Sequence, residues 1–309
     1  MTTRFLAIEI GGSKLQLFVG DAAANILQRH RLPVAPAQGG AGIRRQIESA
    51  LQALLPAVRP AAIGVGFGGP VGRTGRICCS HQVEGWADFE LGAWLAELTG
   101  QPVVVENDSN AAALGEAVRG AGQGSSPVFY FNLGSGVGGG LVVDGRIYHG
   151  ATPGEAEFGH LRLDRDGTIV EARCSGWAVD RRIRAEITAA PGGLLARLAG
   201  ANSGGEARHL PAALQQGDAA ARRILDATAA DLAFALSHAV HLFHPQVIVM
   251  GGGLALLGEP LRAAVEQALA PFLMEVFRPG PLIRLAGLGE DAVPVGALLL
   301  AQRRLAGGS

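Results

Sequence analysis

Five consecutive polar residues, Glu106-Asn107-Asp108-Ser109-Asn110, separate an apolar stretch at 103–105 from a helix-forming stretch at 111–119. A strand-to-helix junction is where open α/β sheets present ligand-binding side chains. Asp108 would stand at the carboxyl end of the strand, aimed into a cleft, which makes it a candidate ligand-facing residue. The same run also reads as a plain helix cap, with Ser109 or Asn110 as the capping residue, and at this point both readings stand.

A second chemistry is suggested by glycine. The apolar strand Val128–Leu133 runs into Gly134-Ser135-Gly136-Val137-Gly138-Gly139-Gly140, and a strand at 141–143 follows before Asp144-Gly145 turns the chain. A glycine turn leaves backbone N–H groups uncovered by side chains and can cradle an anion; an ordinary glycine-rich hairpin reads the same way. Gly134, Gly136 and Gly139 fit G-x-G-x-x-G, but a strand follows instead of a helix, so a dinucleotide fingerprint is excluded. Near the N-terminus the pattern recurs: strand Phe5–Ile10, turn Gly11-Gly12-Ser13-Lys14, strand 15–19. With Gly11 set on Gly134, Glu9 falls on Asn132. Two such hairpins predict two similar half-molecules, each offering a glycine turn to one phosphate chain. The first turn is too short for a Walker loop.

The elements that must position these groups follow from periodicity. Apolar residues at Ile43, Ile47, Leu51, Leu54 and Leu55 mark a helix over 42–58. A buried strand at 61–67 enters Gly68-Gly69-Pro70-Val71, a turn. Short helices are expected at 89–98 and 178–188, a linker-like loop at 191–206 and a long helix at 218–243. Beyond it come a strand at 246–250 entering Gly251-Gly252-Gly253, a helix at 259–272, a strand at 282–285 and a closing helix at 295–305. His238, His241 and His244 recur every three residues without a neighbouring carboxylate or cysteine, and they read as hydrogen-bonded structural histidines.

Composition bounds the function classes. At 309 residues, 48% hydrophobic and 17% charged, the chain can build two cores. A net charge of -1 gives no electrostatic footprint for nucleic acid or an anionic membrane surface. No apolar run approaches a membrane span, and no secretory leader is visible. Three cysteines, two of them adjacent (Cys78, Cys79), make no disulfide framework, so a reducing cytoplasm is expected.

Taken together and in order, these motifs resemble the ROK family (repressors, open reading frames and kinases) of sugar kinases, in the actin–hexokinase superfamily. Glu9-Ile10-Gly11-Gly12-Ser13-Lys14 resembles its first phosphate motif, and residues 66–71 its glycine-proline sugar loop. Glu106-Asn107-Asp108-Ser109-Asn110-Ala111-Ala112 resembles its catalytic segment, and residues 132–140 its second phosphate loop. Glu157-Phe158-Gly159-His160 matches its Glu-x-Gly-His motif, and residues 247–253 resemble its nucleotide segment. The resemblance implies an α/β protein with a two-domain actin-like ATPase (ribonuclease H-like) fold, a duplicated βββαβα core and an interdomain cleft. The domains would be 1–107, completed by a closing helix within 295–309, and 108–294.

The implied activity is ATP-dependent transfer of the γ-phosphate to a hexose hydroxyl at C6, glucokinase-like or N-acetylhexosamine kinase-like. Asp108 would be the base, with Mg²⁺ accompanying ATP. Gly69, Asn107, Glu157, His160 and Asp180 would bind the sugar. Glu9, Gly11, Gly12, Ser13, Lys14, Gly134, Ser135, Gly136, Gly252 and Gly253 would bind ATP and its phosphates. A homodimer is implied, with neither nucleic acid nor membrane as a partner. The alternative is a catalytically weak sugar-binding sensor or regulator of the same family.

Three departures stand out. Glu9 replaces the usual aspartate, and Gln82 sits four residues before Trp86 where the family has asparagine. Of the family's three zinc-binding cysteines, the segment 170–180 retains Cys174 alone, so no structural zinc is expected. Trp177 is expected to pack where metal and thiolates sit in relatives, because an aromatic side chain can bury ~150–250 Å². That packing would leave His160 free for the sugar.

Overall fold

The computed structural model describes residues 3–12, 14–80, 82–154, 156–200 and 204–307. Ser13, expected at the phosphate site, lies outside the described residues. One pattern of elements occurs twice. The first pass is β1 (Phe5–Ile10), β2 (Leu15–Gly20), β3 (Ile26–Leu32), α1 (Gly39–Val58) and β4 (Ile63–Phe67). A small ladder of β5 (Arg76–Ile77) with β6 (Phe89–Glu90) follows, then α2 (Leu91–Thr99), β7 (Val103–Asn107) and α3 (Asp108–Arg119). The second pass opens with β8 (Val128–Leu133), β9 (Val137–Val143) and β10 (Arg146–Ile147). It continues through α4 (Val170–Cys174), α5 (Gly176–Ala189), α6 (Leu194–Ala199), α7 (Leu210–Gln215) and α8 (Ala219–Phe243). It closes with β11 (Val247–Gly251), α9 (Glu259–Leu269), β12 (Leu282–Leu285) and α10 (Ala292–Leu305).

The two five-stranded sheets run β3-β2-β1-β4-β7 and β10-β9-β8-β11-β12, the same order counted within each pass. β1 and β8 even share a burial pattern: four buried residues, one half-buried, one buried. The half-buried residues are Glu9 and Asn132. The repeat inferred from two glycine turns is therefore a repeat of whole sheets.

By contacts the chain forms two compact units, 1–123 with 140–156 and 290–309, and 124–139 with 157–289. In the first unit, α1 lays Ile43, Ile47 and Leu51 into a core shared with Leu6, Ile8, Leu15, Leu17, Ile63, Val65 and Phe67. Each such side chain contributes about 1.5–3 kcal/mol when fully buried. The 107/108 position expected as a domain boundary falls inside this unit, because α3 follows β7 directly and packs on α10. That packing is backbone on backbone: a Cβ at Gly296 would collide with the Ala111 carbonyl.

In the second unit, α8 buries Ile224, Leu225, Leu232, Leu236 and Val240. Asp218 caps it, accepting from the Ala221 N–H at 2.7 Å. The histidines near its end are held by hydrogen bonds and ring contacts, and His241 and His244 share Phe277. His241 bonds the Ser237 carbonyl through Nδ1 (2.7 Å) and accepts the Met274 N–H on Nε2, while His244 stacks on Phe277. His238 stands edge-on to Phe234. The segment read as a linker holds α6 and a 3₁₀ turn at Glu206–His209. Among the described residues, no helix is long and apolar enough to cross a membrane.

Candidate active site

β1, β4 and β7 lie parallel with Ile10, Phe67 and Asn107 in one register row. The next residues along the three strands are Gly11, Gly68 and Asp108. Three motifs far apart in sequence thus meet at the carboxyl ends of adjacent parallel strands, where doubly wound sheets bind ligands. The Gly68 N–H donates to the Ile10 carbonyl at 2.8 Å, tying the Gly68-Gly69 turn to the end of β1. A Cβ added at Gly68 would stand 3.4 Å from Asp108 Oδ2, so the carboxylate lies against bare backbone. Ser109 Oγ donates to its other oxygen at 3.2 Å.

Asp108 is the first residue of α3, and the cap is Asn107, not Ser109 or Asn110 as the sequence suggested. The strand simply runs two residues further than 105. Asn107 Oδ1 accepts from the N–H groups of Ser109 (2.9 Å) and Asn110 (3.1 Å), while its Nδ2 donates to the Gly69 carbonyl at 3.2 Å. The helix cap thus falls on Asn107, and Asp108 follows it directly at the carboxyl end of β7. Gly69 is pressed close, since a Cβ there would lie 2.7 Å from the Cys79 carbonyl.

Glu9 pairs across the sheet with Gln16, whose Nε2 donates to the carboxylate at 3.1 Å. Burial pushes the Glu9 carboxyl up to about 7; the nearby carboxylates of Asp108 and Glu290 add to the rise, and Lys14 and the Gln16 bond oppose it. A group so placed is poised to gain from a cation. At the turn, the Gly11 N–H donates to the Lys14 carbonyl at 2.7 Å, and Lys14 itself is exposed. Gln82 lies against Gly12, where a Cβ would collide with its side chain. Gln82, one of the departures from the family pattern, therefore rests on the first glycine turn.

In the second unit, β8 and β11 are parallel with Asn132 opposite Gly251. Gly252 takes φ +83° and packs on the end of β8, where a Cβ would sit 2.5 Å from the Leu133 nitrogen. Gly253 has open space beside it. The second glycine turn is tighter than expected, because β9 begins at Val137 and only Gly134-Ser135-Gly136 forms the bend. Its flanking N–H groups are not uncovered. Gly134 donates to the Gly136 carbonyl (2.9 Å), Val137 to Glu171 Oε2 (2.9 Å) and Gly138 to Asn132 Oδ1 (2.7 Å). Glycine supplied the permissive backbone, but side chains from β8 and α4 fold over it.

The Glu157-Phe158-Gly159-His160 segment is anchored by its aromatic. Phe158 is buried against Phe129 and Phe131, with ring centroids 5.5 and 5.3 Å away. Glu157 and His160 are both exposed. A zinc ion does not fit the neighbouring segment. Cys174 is buried with its thiol 3.9 Å from the Thr228 carbonyl, and burial pushes that thiol up to about 12, far from the thiolate that zinc requires. No group of three or more possible ligands occurs among the described residues.

Trp177 does not fill the space, contrary to expectation: it is 60% exposed. Helical phase puts Ala178 and Val179 inward instead. The segment is held by Val170 and Cys174 in the core, by Ser175 capping α5, and by the Gly176 N–H donating to the Gly134 carbonyl at 2.8 Å. Asp180 is buried and accepts the N–H groups of Gly205 (3.0 Å) and Ala207 (2.8 Å).

The structure adds residues that sequence reasoning missed. His149 Nε2 lies 2.7 Å from Glu106 Oε2, and Arg73 reaches Thr152 Oγ1 at 3.0 Å. These partners are 43 and 79 positions apart, so no spacing rule could have joined them.

Comparison with known proteins gives a consistent result. The model of the ROK family matches residues 5–304. A glucokinase of Halalkalibacterium halodurans is 30% identical over 307 residues, covering 94% of this chain and 93% of that one. An N-acetylmannosamine kinase of Escherichia coli is 30% identical, covering 98% and 99%. A ROK family glucokinase from Streptomyces griseus, solved in complex with glucose and AMPPNP, superposes with a TM-score of 0.84 at 30% identity, covering 98% of this chain and all of that one.

Proposed function

The chain belongs to the ROK family, and from that membership we propose that it is an ATP-dependent sugar kinase that phosphorylates a hexose or N-acetylhexosamine hydroxyl at C6. The observation that carries the reading is the register row Ile10–Phe67–Asn107, which brings Glu9, the Gly68-Gly69 backbone and Asp108 together.

Phosphoryl transfer needs little covalent help from a protein. It needs positioning and charge stabilisation. Asp108 accepts the proton of the attacking hydroxyl as the sugar oxygen bonds to the γ-phosphorus and the bond to the β-phosphate oxygen breaks. Asn107, Gly69, Glu157 and His160 orient the sugar. Asn107 comes to this role already fixed, since it caps α3 and holds Gly69. We assign Asp180 to holding the 204–207 loop, because both of its oxygens serve backbone amides there.

The nucleotide enters as its Mg²⁺ complex. Glu9 would hold the cation, which would neutralise phosphate charge, and Gly11, Gly12, Ser13, Lys14, Gly134, Ser135 and Gly136 would bind the phosphates. Gly252 and Gly253 leave room for the nucleoside. We further infer a cytoplasmic homodimer, supported by the family resemblance and by the sparse cysteines.

Steady-state turnover with ATP and a panel that includes glucose and N-acetylmannosamine tests the reading. Asp108→Asn should lower kcat by at least ~10²-fold while sugar binding, followed by calorimetry, persists. Wild-type protein that binds a sugar without turning over would instead favour the sensor alternative.

A further inference from the structure

Glu106 is only 7% exposed, next to the last residue of β7. A carboxylate taken out of water is costly unless every oxygen finds a donor. Here each one does. Oε1 accepts the Asn107 N–H (2.9 Å) and Asn110 Nδ2 (3.0 Å), and Oε2 accepts His149 Nε2 at 2.7 Å. The first two donors belong to the first turn of α3, which carries Asp108. The third comes from the stretch after β10 that leads, eight residues on, into Glu157.

Asn110 strengthens the same link. Its Nδ2 also reaches the Gly154 carbonyl at 3.4 Å, and its Oδ1 is buried without a hydrogen-bond partner among the described residues. The side chain is thus committed to donating, at the cost of its own acceptor. The His149 ring is half-exposed, so it meets the buried carboxylate at the edge of solvent.

We propose that Glu106 and His149 form a positioning pair for phosphoryl transfer. His149 holds Glu106, Glu106 holds Asn107 and Asn110, and these set the first turn of α3 and so the direction of the Asp108 carboxylate. Neither member of the pair is required to touch substrate. The proposal rests on the kinase reading, because it concerns the aim of that reading's base.

Kinetics and hydrogen exchange on the full-length protein test it together. His149→Ala should lower kcat on the order of tenfold to a hundredfold, as expected for misaimed reacting groups, with little change in KM for ATP, and the melting temperature should fall because a buried carboxylate oxygen loses its donor. His149→Gln, which can still donate from a nitrogen in the Nε2 position, should recover most of that turnover. In a double-mutant cycle, Glu106→Gln should add little once His149 is alanine. The Ser109 and Asn110 amides, bonded to Asn107, should exchange faster in His149→Ala while β1 amides do not.

Wild-type turnover and exchange in His149→Ala, or effects of the two substitutions that simply multiply, would overturn the pair. A wild-type protein that phosphorylates no sugar would overturn the kinase reading alone, and the exchange rates would still decide whether the pair sets the α3 turn.

Discussion

The two glycine hairpins have one backbone plan and two chemistries. β1 and β8 share strand length, sheet position, burial pattern and a following glycine turn. At the half-buried position the first carries Glu9 and the second Asn132. Asn132 turns back on its own hairpin and accepts the Gly138 N–H at 2.7 Å. Glu9 accepts from Gln16, and burial, with the nearby carboxylates of Asp108 and Glu290 adding to it, pushes its own carboxyl up to about 7. The same site in the repeat therefore completes its local structure in one unit and stays electrostatically unsatisfied in the other. The difference teaches where to look for a cation partner: at the copy whose geometry is closed but whose charge is not.

The sharpest way to break this contrast is to make the first hairpin resemble the second. Glu9→Asn should cost at least ~10²-fold in kcat, the scale of losing one electrostatic stabiliser of a developing charge. The fold should survive, and at pH 8 the melting temperature should rise, because a buried carboxylate is removed. Near-normal turnover in Glu9→Asn would mean that the two positions are equivalent after all.

A smaller effect reads Glu9 without any substrate. Between the ordinary carboxyl value of 4.5 and about 7, the folded protein keeps a proton that the unfolded chain has released. Stability is then fully present below that window and falls as pH rises through it. At about 1.4 kcal/mol per pKa unit, the fall amounts to about 3–4 kcal/mol. Denaturant titrations from pH 4.5 to 8 should show it in the wild type and not in Glu9→Gln; a wild-type curve as flat as the variant's would contradict the buried charge.

The smallest effect belongs to the second hairpin. Asn132→Ala removes one hydrogen bond and should cost about 1 kcal/mol, by the same amount at every pH in that series. A loss that grew with pH would show that Asn132, like Glu9, answers to charge.

Much of this was legible in the chain. Glycine turns between apolar strands, repeated 123 residues apart (Gly11 to Gly134), announced the duplication, because a turn's backbone demands are local and written in residue type. The helical stripes of α1 and α8 were legible for the same reason: burial on one face imposes a period of 3.6 residues. The Glu-Asn-Asp run could be placed at a strand-to-helix junction, since strand and cap preferences are also local. In each case the information sat within a few neighbouring residues.

Only the tertiary structure decided the rest. Trp177 had the right size to replace a metal site, yet the phase of α5 turns it outward while Cys174, Val170 and Phe158 fill the interior. Asp180 had the right charge for a sugar, but its oxygens meet the amides of 205 and 207, which no pattern in the sequence brings near it. The second turn's amides were expected bare, and Glu171, some 34 residues away, covers one of them. Glu106 found His149 in the same way. Hydrogen bonds and burial depend on which surfaces meet, and that choice is made by the packing of whole sheets and helices; residue type and spacing fix only what each surface offers.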